Sequence, residues 1–180
     1  CDFELQSTFK LIAMKNINAQ TTGLKLRRLL RVFIILLVLS GVTAFPLQTE
    51  LSILHGIVRN CSIGFLRDWI AVINNGLQTT ANTFPFLFYG TDWLAFAHIV
   101  IAVAFFGPLQ DPVRNIWVLK FGMIACKMVP VFAFLCGLIR GIPIWWQLVD
   151  CSFGVVGFIV LHKCYQYAVA LESQSINNNN

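Results

Sequence analysis

Four long apolar runs with very few charges constrain this chain more than any other feature. Each run has about 20 residues, the number that an α-helix needs to cross the roughly 30 Å hydrocarbon core of a bilayer. Charged residues make up only 12% of the chain, whereas soluble domains carry roughly 25%. We therefore predict an all-α integral membrane protein, a four-transmembrane-helix bundle with spans at about 29–47, 88–106, 116–139 and 144–161.

The one long connection, residues 48–85, should itself be helical. Apolar residues recur at helical spacing on both sides of Asn60, which predicts two short helices on the outer membrane surface, the second ending at Asn74-Asn75-Gly76. Asn60-Cys61-Ser62 also fits the N-glycosylation pattern, which matters only in a eukaryotic secretory pathway. We expect residues 29–171 to form one membrane domain with this short helical extracytoplasmic loop between its first two spans.

The two ends of the chain should lie outside that domain. Residues 1–28 are a basic segment, and Met14-Lys15 has the features of a natural start, so residues 1–13 are candidates for a non-native extension. A lipoprotein beginning at Cys1 is the alternative, although its lipidated end would then lie outside the cell. The tail at residues 172–180 ends in four Asn residues, and its polar composition predicts disorder.

The basic residues predict the orientation. Nine of the 13 Lys and Arg residues would lie on the cytoplasmic side of the membrane in this topology: Lys10, Lys15, Lys25, Arg27, Arg28, Arg31, Arg114, Lys120 and Lys163. Because cytoplasmic loops carry the excess of positive charge, both termini should be cytoplasmic in a multi-pass protein, and we predict a bacterial inner membrane. The same rule explains the basic patch without a nucleic-acid partner.

Small residues predict which helix faces touch, because helices in lipid associate by close packing. One face of each later span carries such a stripe: Thr91, Ala95, His98 and Ala102; Gly122, Cys126, Val129, Ala133 and Gly137; Asp150, Gly154, Gly157 and Leu161. The stripes predict that His98 and Asp150 point into the bundle. The six Cys residues form no Cys-x-x-Cys pair, and we predict no metal site.

His98 is the candidate with the widest range of chemistry. An ionisable group at membrane depth is costly and often marks function. His98 could ligate haem iron or carry protons, with Asp150 as an acid–base partner, or it could be a neutral His hydrogen-bonded to a neighbouring helix. A second haem ligand is missing at matching depth, since His162 lies near the opposite end of the fourth span from Asp150.

Lys127 is the second unusual residue. Pro130 cannot donate a hydrogen bond to the carbonyl of Cys126, so a freed carbonyl, a kink and Lys127 could together form a polar site. Alternatively, the Lys127 side chain extends to the interface or pairs with a neighbour at the edge of the packing face.

A third group of candidates lies at the outer ends of the spans. Asp92, Arg140 and Asp150 could form an interfacial ion-pair network. They could instead belong to a ligand site open to the outside, with Trp93, Trp145 and Trp146 as its walls. The ligand-binding candidates are thus His98, Lys127, Trp93, Trp145, Trp146 and Asp150, and the candidates for catalysis are His98, Asp150, Asp92 and Lys127.

No known catalytic motif is present in the sequence. We therefore expect an accessory or hydrophobic-ligand or lipid-binding subunit of a membrane complex, with the lipid bilayer and a membrane protein or a second copy as partners. One alternative is an intramembrane enzyme or proton-coupled carrier centred on His98 and Asp150. Another is an electron-transfer subunit that binds haem or quinone through His98.

Overall fold

The chain folds entirely into helices. A computed structural model describes the backbone of residues 2–179 and the side chains of residues 17 and 19–176. In chain order the elements are α1 Asp2–Thr43, α2 Leu47–Val58, α3 Gly64–Thr83, a 3-10 helix Pro85–Phe88, α4 Tyr89–Ala104, α5 Phe106–Gln110, α6 Ile116–Ile139 and α7 Ile144–Asn179. No strand occurs in residues 2–179, so the all-α prediction is confirmed.

Three helical stretches are long and apolar enough to cross a membrane: Pro85–Gln110, Ile116–Ile139 and Ile144–Ile176. A fourth span is obtained only if Ala19–Thr43 and Leu47–Val58, which are bent by 92° with respect to each other, count as one. These three to four apolar helices indicate a multi-pass membrane protein. That all four segments span the bilayer stays a prediction.

The structure differs from the predicted bounds mainly at the end of the chain. α6 has the predicted limits, and α7 begins where expected but continues far beyond residue 161, to Asn179. Ala, Leu, Glu and Gln after residue 167 are good helix formers, and they propagate α7 through the stretch where composition predicted a disordered tail. Residues 172–179 thus belong to α7, and Asn180 lies outside the described residues.

The described residues divide into two compact units, one formed by the segments up to residue 34 and from residue 104 onward, the other by residues 35–103. In the first unit, α6 and α7 form a hairpin joined by the short turn after Ile139, where Gly141 has a φ of 65°. This left-handed conformation favours glycine because it has no Cβ. The two helices consequently run antiparallel.

The hairpin is held by a seam of close contacts at small residues. At four glycines, an added Cβ atom would lie less than 3 Å from an atom of the facing helix. The pairs that face each other are Gly137 with Gln147, Gly154 with Cys126 and Val129, Gly157 with Cys126, and Gly122 with Leu161. Each step forward along α6 is matched by a step backward along α7, as antiparallel packing requires. The predicted packing faces of these two helices are confirmed at these positions.

The first unit has its tightest core where α1 joins the hairpin. Leu26 and Leu30 of α1 are fully buried, and the rings of Phe33 and Phe105 meet edge to face with centroids 4.9 Å apart. Pro108 of α5 is also fully buried, and α6 and α7 contribute Leu119, Leu161, Cys164 and Ala168. The burial of these apolar side chains fixes the register between the three helices.

In the second unit, α2 and α3 pack side by side. The Ser52 hydroxyl donates a hydrogen bond to Asn74 Oδ1 at 3.2 Å and accepts one from Gln78 Nε2 at 3.0 Å. These bonds cross from one helix to the other and stabilise α3 through Asn74-Asn75-Gly76, where the sequence predicted a stop. That boundary was wrong because the side-chain bonds to α2 override the local preference of the Asn-Gly sequence.

Replacing Gly154 by Ala should destabilise the α6–α7 hairpin. The new Cβ would lie 2.7 Å from the backbone oxygen of Cys126, so the two helices must separate. We expect the free energy of unfolding to fall by about 1–3 kcal/mol. Thermal unfolding in detergent, followed by circular dichroism, measures the change. Gly56→Ala in α2 is the matched control, because no neighbouring atom lies within 4 Å of the added Cβ. Replacement of a helical Gly by Ala should raise the free energy of unfolding by about 0.5–1 kcal/mol. Equal stability of Gly154→Ala and the wild type would contradict the seam.

Candidate functional site

Two of the predicted site residues, Asp92 and Trp93, line a cavity on the second unit. We call it the aromatic cavity; it has a volume of about 300 Å³, opens to the surface, and is lined by Phe45, Tyr89, Asp92, Trp93 and Phe96. The ring of Trp93 meets the rings of Tyr89 and Phe96 edge to face, at centroid distances of 5.9 and 5.5 Å. The cavity therefore combines four aromatic rings with one carboxylate.

Local structure explains how these residues come together. Tyr89, Trp93 and Phe96 follow one another at steps of four and three residues in α4, which places them on one face of the helix. Phe45 comes from the break between α1 and α2, directly before Pro46, which lacks the backbone N–H that would continue a helix. The break thus brings Phe45 to the edge of the α4 rings.

The electrostatics of the aromatic cavity are set by Asp92. Its carboxylate is half-buried and lies in the first turn of α4, where the helix dipole favours negative charge. Within the unit formed by residues 35–103, Asp92 makes no ion pair; the ion pair found there joins Arg67 and Asp68 on α3. In the other unit Arg140 and Asp150 do not pair with each other, so the predicted ion-pair link between these two residues is wrong.

His98 lies on the packing face of α4, as predicted. A Cβ built on Gly41 would lie 3.0 Å from His98 Cβ and 2.9 Å from the carbonyl oxygen of Ala95, so α1 and α4 approach closely here. His98 Nδ1 is 2.8 Å from the carbonyl oxygen of Leu94, one turn earlier in α4. Because a carbonyl can only accept a hydrogen bond, Nδ1 is the donor, and in a neutral imidazole with this bond Nε2 has the lone pair. This is the nitrogen that could ligate a haem iron or accept a proton.

Lys127 is paired with an aromatic ring. Its Nζ lies 5.1 Å from the centroid of Phe158 on α7, and His162 stacks on the same ring at 5.7 Å and 12°. The carbonyl oxygen of Cys126, which Pro130 leaves without a helical donor, faces Gly154 of α7. The amino group of Lys127 and the freed carbonyl of Cys126 thus face different parts of α7, and a polar site formed by both remains a prediction.

Asp150 and the paired tryptophans lie at the start of α7. The rings of Trp145 and Trp146 meet edge to face at 5.5 Å. Asp150 is half-buried and eight residues from Phe158, or about 12 Å along the helix, so its carboxylate does not meet Lys127. The first unit therefore holds Lys127, Asp150 and the two tryptophans at separate places, and the second unit holds His98, Asp92 and Trp93. The predictions that these residues bind a ligand or take part in catalysis remain predictions.

A groove of about 540 Å³ on the first unit was not predicted. It is lined mainly by apolar residues of α1, the segment between α5 and α6, and the last part of α7, with Arg27 and Asp111 among its lining residues. Nearby along α6 and α7, Lys120 Nζ lies 5.7 Å from the centroid of the Tyr165 ring. This end of the unit is thus rich in positive charge and in aromatic side chains.

Other important residues escaped the sequence analysis. Gln147 is 1% exposed, and its Nε2 donates a hydrogen bond to the carbonyl of Ile142 at 2.7 Å while Oε1 is buried without a partner. The spacing between Trp93 and Phe96 could have indicated Phe96. The position of Phe45 depends on the break between α1 and α2, which the sequence did not predict. Among the described residues, no group of three His, Cys, Asp or Glu side chains is arranged to hold a metal ion.

The fold thus defines the chain as an all-helical protein with three to four apolar helices of membrane-spanning length. Comparison with known protein families, with curated proteins and with solved structures gives no match to this chain.

Proposed function

We propose that the protein is an accessory subunit of a membrane complex, a four-span bundle that binds another membrane protein or a second copy through its α6–α7 hairpin. The observation that carries the proposal is the large apolar surface at the tip of this hairpin. It includes the three most exposed large apolar side chains of the two helices, Leu138 at 71%, Ile139 at 77% and Phe153 at 70%. We call this region the hairpin tip surface: Val131, Phe132, Leu135, Leu138, Ile139, Ile144, Leu148, Phe153, Val155 and Val156.

The hairpin tip surface contrasts with the other end of the same two helices. There, α1 covers the hairpin and Leu119, Leu161 and Cys164 are fully buried. At the tip, the first unit offers no helix that covers the apolar side chains. Exposed apolar patches of this size mark contacts with lipid or with another protein, and short connections suit a subunit whose role is to pack.

The distribution of charge supports an orientation with both termini in the cytoplasm. Lys120 contacts Tyr165, and Cys164 lies beside Leu26, so Arg27, Lys120 and Lys163 lie at one level of the first unit. Trp117 is near this level and 63% exposed, as expected for a ring at a membrane interface. From here α6 runs through 22 residues to Ile139, or about 33 Å, which matches the hydrocarbon core. We place the cytoplasmic face at this level, in a bacterial inner membrane.

A second candidate function is a haem- or quinone-binding or proton-carrying role centred on His98. The observation in its favour is the free lone pair on Nε2, which follows from the bond between Nδ1 and the Leu94 carbonyl. Metal-bound histidines commonly hold the other ring nitrogen in this way.

The orientation can be tested with reporters. Alkaline phosphatase fused after Gln174 should be inactive, and green fluorescent protein at the same position should fluoresce, because α7 ends in the cytoplasm. Alkaline phosphatase inserted after Gly141 should be active, since that turn would face the periplasm. The reverse pattern of activities would contradict the proposed orientation.

The subunit role can be tested by photo-crosslinking in native membranes. A photoreactive amino acid at Phe153 should give a protein adduct of defined mass, which mass spectrometry identifies as a partner or as a second copy. The same amino acid at Gln166, an exposed polar position on α7, is the control and should give no such adduct. Adducts with lipid alone at Phe153 would exclude the subunit role and leave a lipid-surrounded monomer.

The haem alternative has a spectroscopic test. If His98 Nε2 binds haem iron, protein purified from its native membrane shows a Soret absorption band, which His98→Ala abolishes. His162→Ala, which removes an exposed His stacked on Phe158, should leave the band unchanged. A wild-type spectrum without a Soret band would exclude haem.

A further inference from the structure

The aromatic cavity has a composition that neither packing nor the subunit role requires. Four rings line about 300 Å³ of open space, and all four expose more than half of their surface: Phe45, Tyr89, Trp93 and Phe96. Trp and Tyr are enriched at membrane interfaces, where their rings lie at the headgroup level. Here Trp93 is fixed between Tyr89 and Phe96 by two edge-to-face contacts, and the open space lies beside a carboxylate.

The charge in the cavity is negative and unbalanced. Asp92 has no cationic partner within its unit, and it lies in the first turn of α4, where the helix dipole places positive partial charge. The faces of Tyr, Trp and Phe rings also carry negative potential. Rings and carboxylate therefore attract the same kind of ligand, a cation.

The chemical groups of the lining indicate which kind of cation would bind. A primary ammonium or a guanidinium has several N–H donors that need acceptors, and Asp92 is the one carboxylate in the lining. A quaternary ammonium has no N–H donor, and its methyl groups spread the positive charge over an apolar surface. Such groups are the ligands that aromatic cages recognise through cation–π attraction. The volume also lies at the lower end of the roughly 300–1,000 Å³ range of small-molecule sites.

We propose that the aromatic cavity is a binding site for a quaternary ammonium group, with Trp93, Tyr89, Phe96 and Phe45 in contact with the methyl groups and Asp92 as the counter-ion. The group could belong to a free small cation or to the headgroup of a choline lipid. The proposal is independent of the subunit role, because the cavity lies entirely in residues 35–103 and the hairpin tip surface lies in the other unit.

The test is isothermal titration of the full-length protein with tetramethylammonium chloride. The protein is held in a maltoside detergent at constant ionic strength. We expect saturable binding that weakens at least tenfold in Asp92→Asn and in Trp93→Leu. Asp68→Asn removes the same charge from an exposed residue of the same unit and should bind as the wild type does. Circular dichroism shows whether each variant keeps its helical content.

A neutral ligand separates cation recognition from simple apolar binding. The compound 3,3-dimethylbutanol has the shape of choline but carries carbon in place of the charged nitrogen, so it should bind at least tenfold more weakly than choline. Any of three results would overturn the proposal. These are equal binding of the two compounds, unchanged binding of tetramethylammonium to Asp92→Asn, and no saturable binding of tetramethylammonium to the wild type.

The source of the quaternary ammonium is found with nanodiscs of two compositions. In phosphatidylglycerol discs, saturable binding of tetramethylammonium should persist. In phosphatidylcholine discs, a tenfold higher apparent Kd identifies the lipid headgroup as a competing ligand, and an unchanged Kd assigns the site to a free cation. Loss of saturable binding in phosphatidylglycerol discs would overturn the proposal for the protein in a bilayer.

Discussion

The close approach of α6 and α7 is the interaction on which the first unit depends. Lipid tails are as apolar as Leu side chains, so helices in a bilayer gain little from burying apolar area and associate through close packing. Gly122, Gly137, Gly154 and Gly157 allow this because a Cβ at any of them would overlap the facing helix. The resulting register also places Lys120 over Tyr165 and Lys127 over Phe158, seven residues apart on each helix.

Polar groups at membrane depth find partners close by, which lowers the cost of placing them in an apolar environment. His98 bonds to its own helix, Lys127 lies against an aromatic ring, and Gln147 bonds to the turn before α7. Such local partners account for His98, which is half-buried, and for Lys127, which is exposed, without catalysis. The case for a binding site therefore rests more on Asp92, which lies among aromatic rings and makes no ion pair within its unit.

The second unit shows how a break in a helix can create a site. α1 ends at Thr43 and α2 begins at Leu47, and the residues between them include Phe45 and Pro46. A continuous helix would place Phe45 on a helical face, whereas the break allows it to line the same cavity as Trp93. Gly41, just before the break, permits the close contact with Ala95 and His98 that brings α1 and α4 together.

The sequence by itself determined the helical class, the limits of α6, the start of α7 and the small-residue faces of that hairpin, because apolar length and residue size are local properties. It also indicated Asp92 and Trp93 as candidates. Only the tertiary structure decided that α3 continues through Asn74-Asn75-Gly76, that Lys127 pairs with Phe158, and that Phe45 joins the α4 rings. Each of these depends on a contact between residues distant in the chain, which no local pattern of residues specifies.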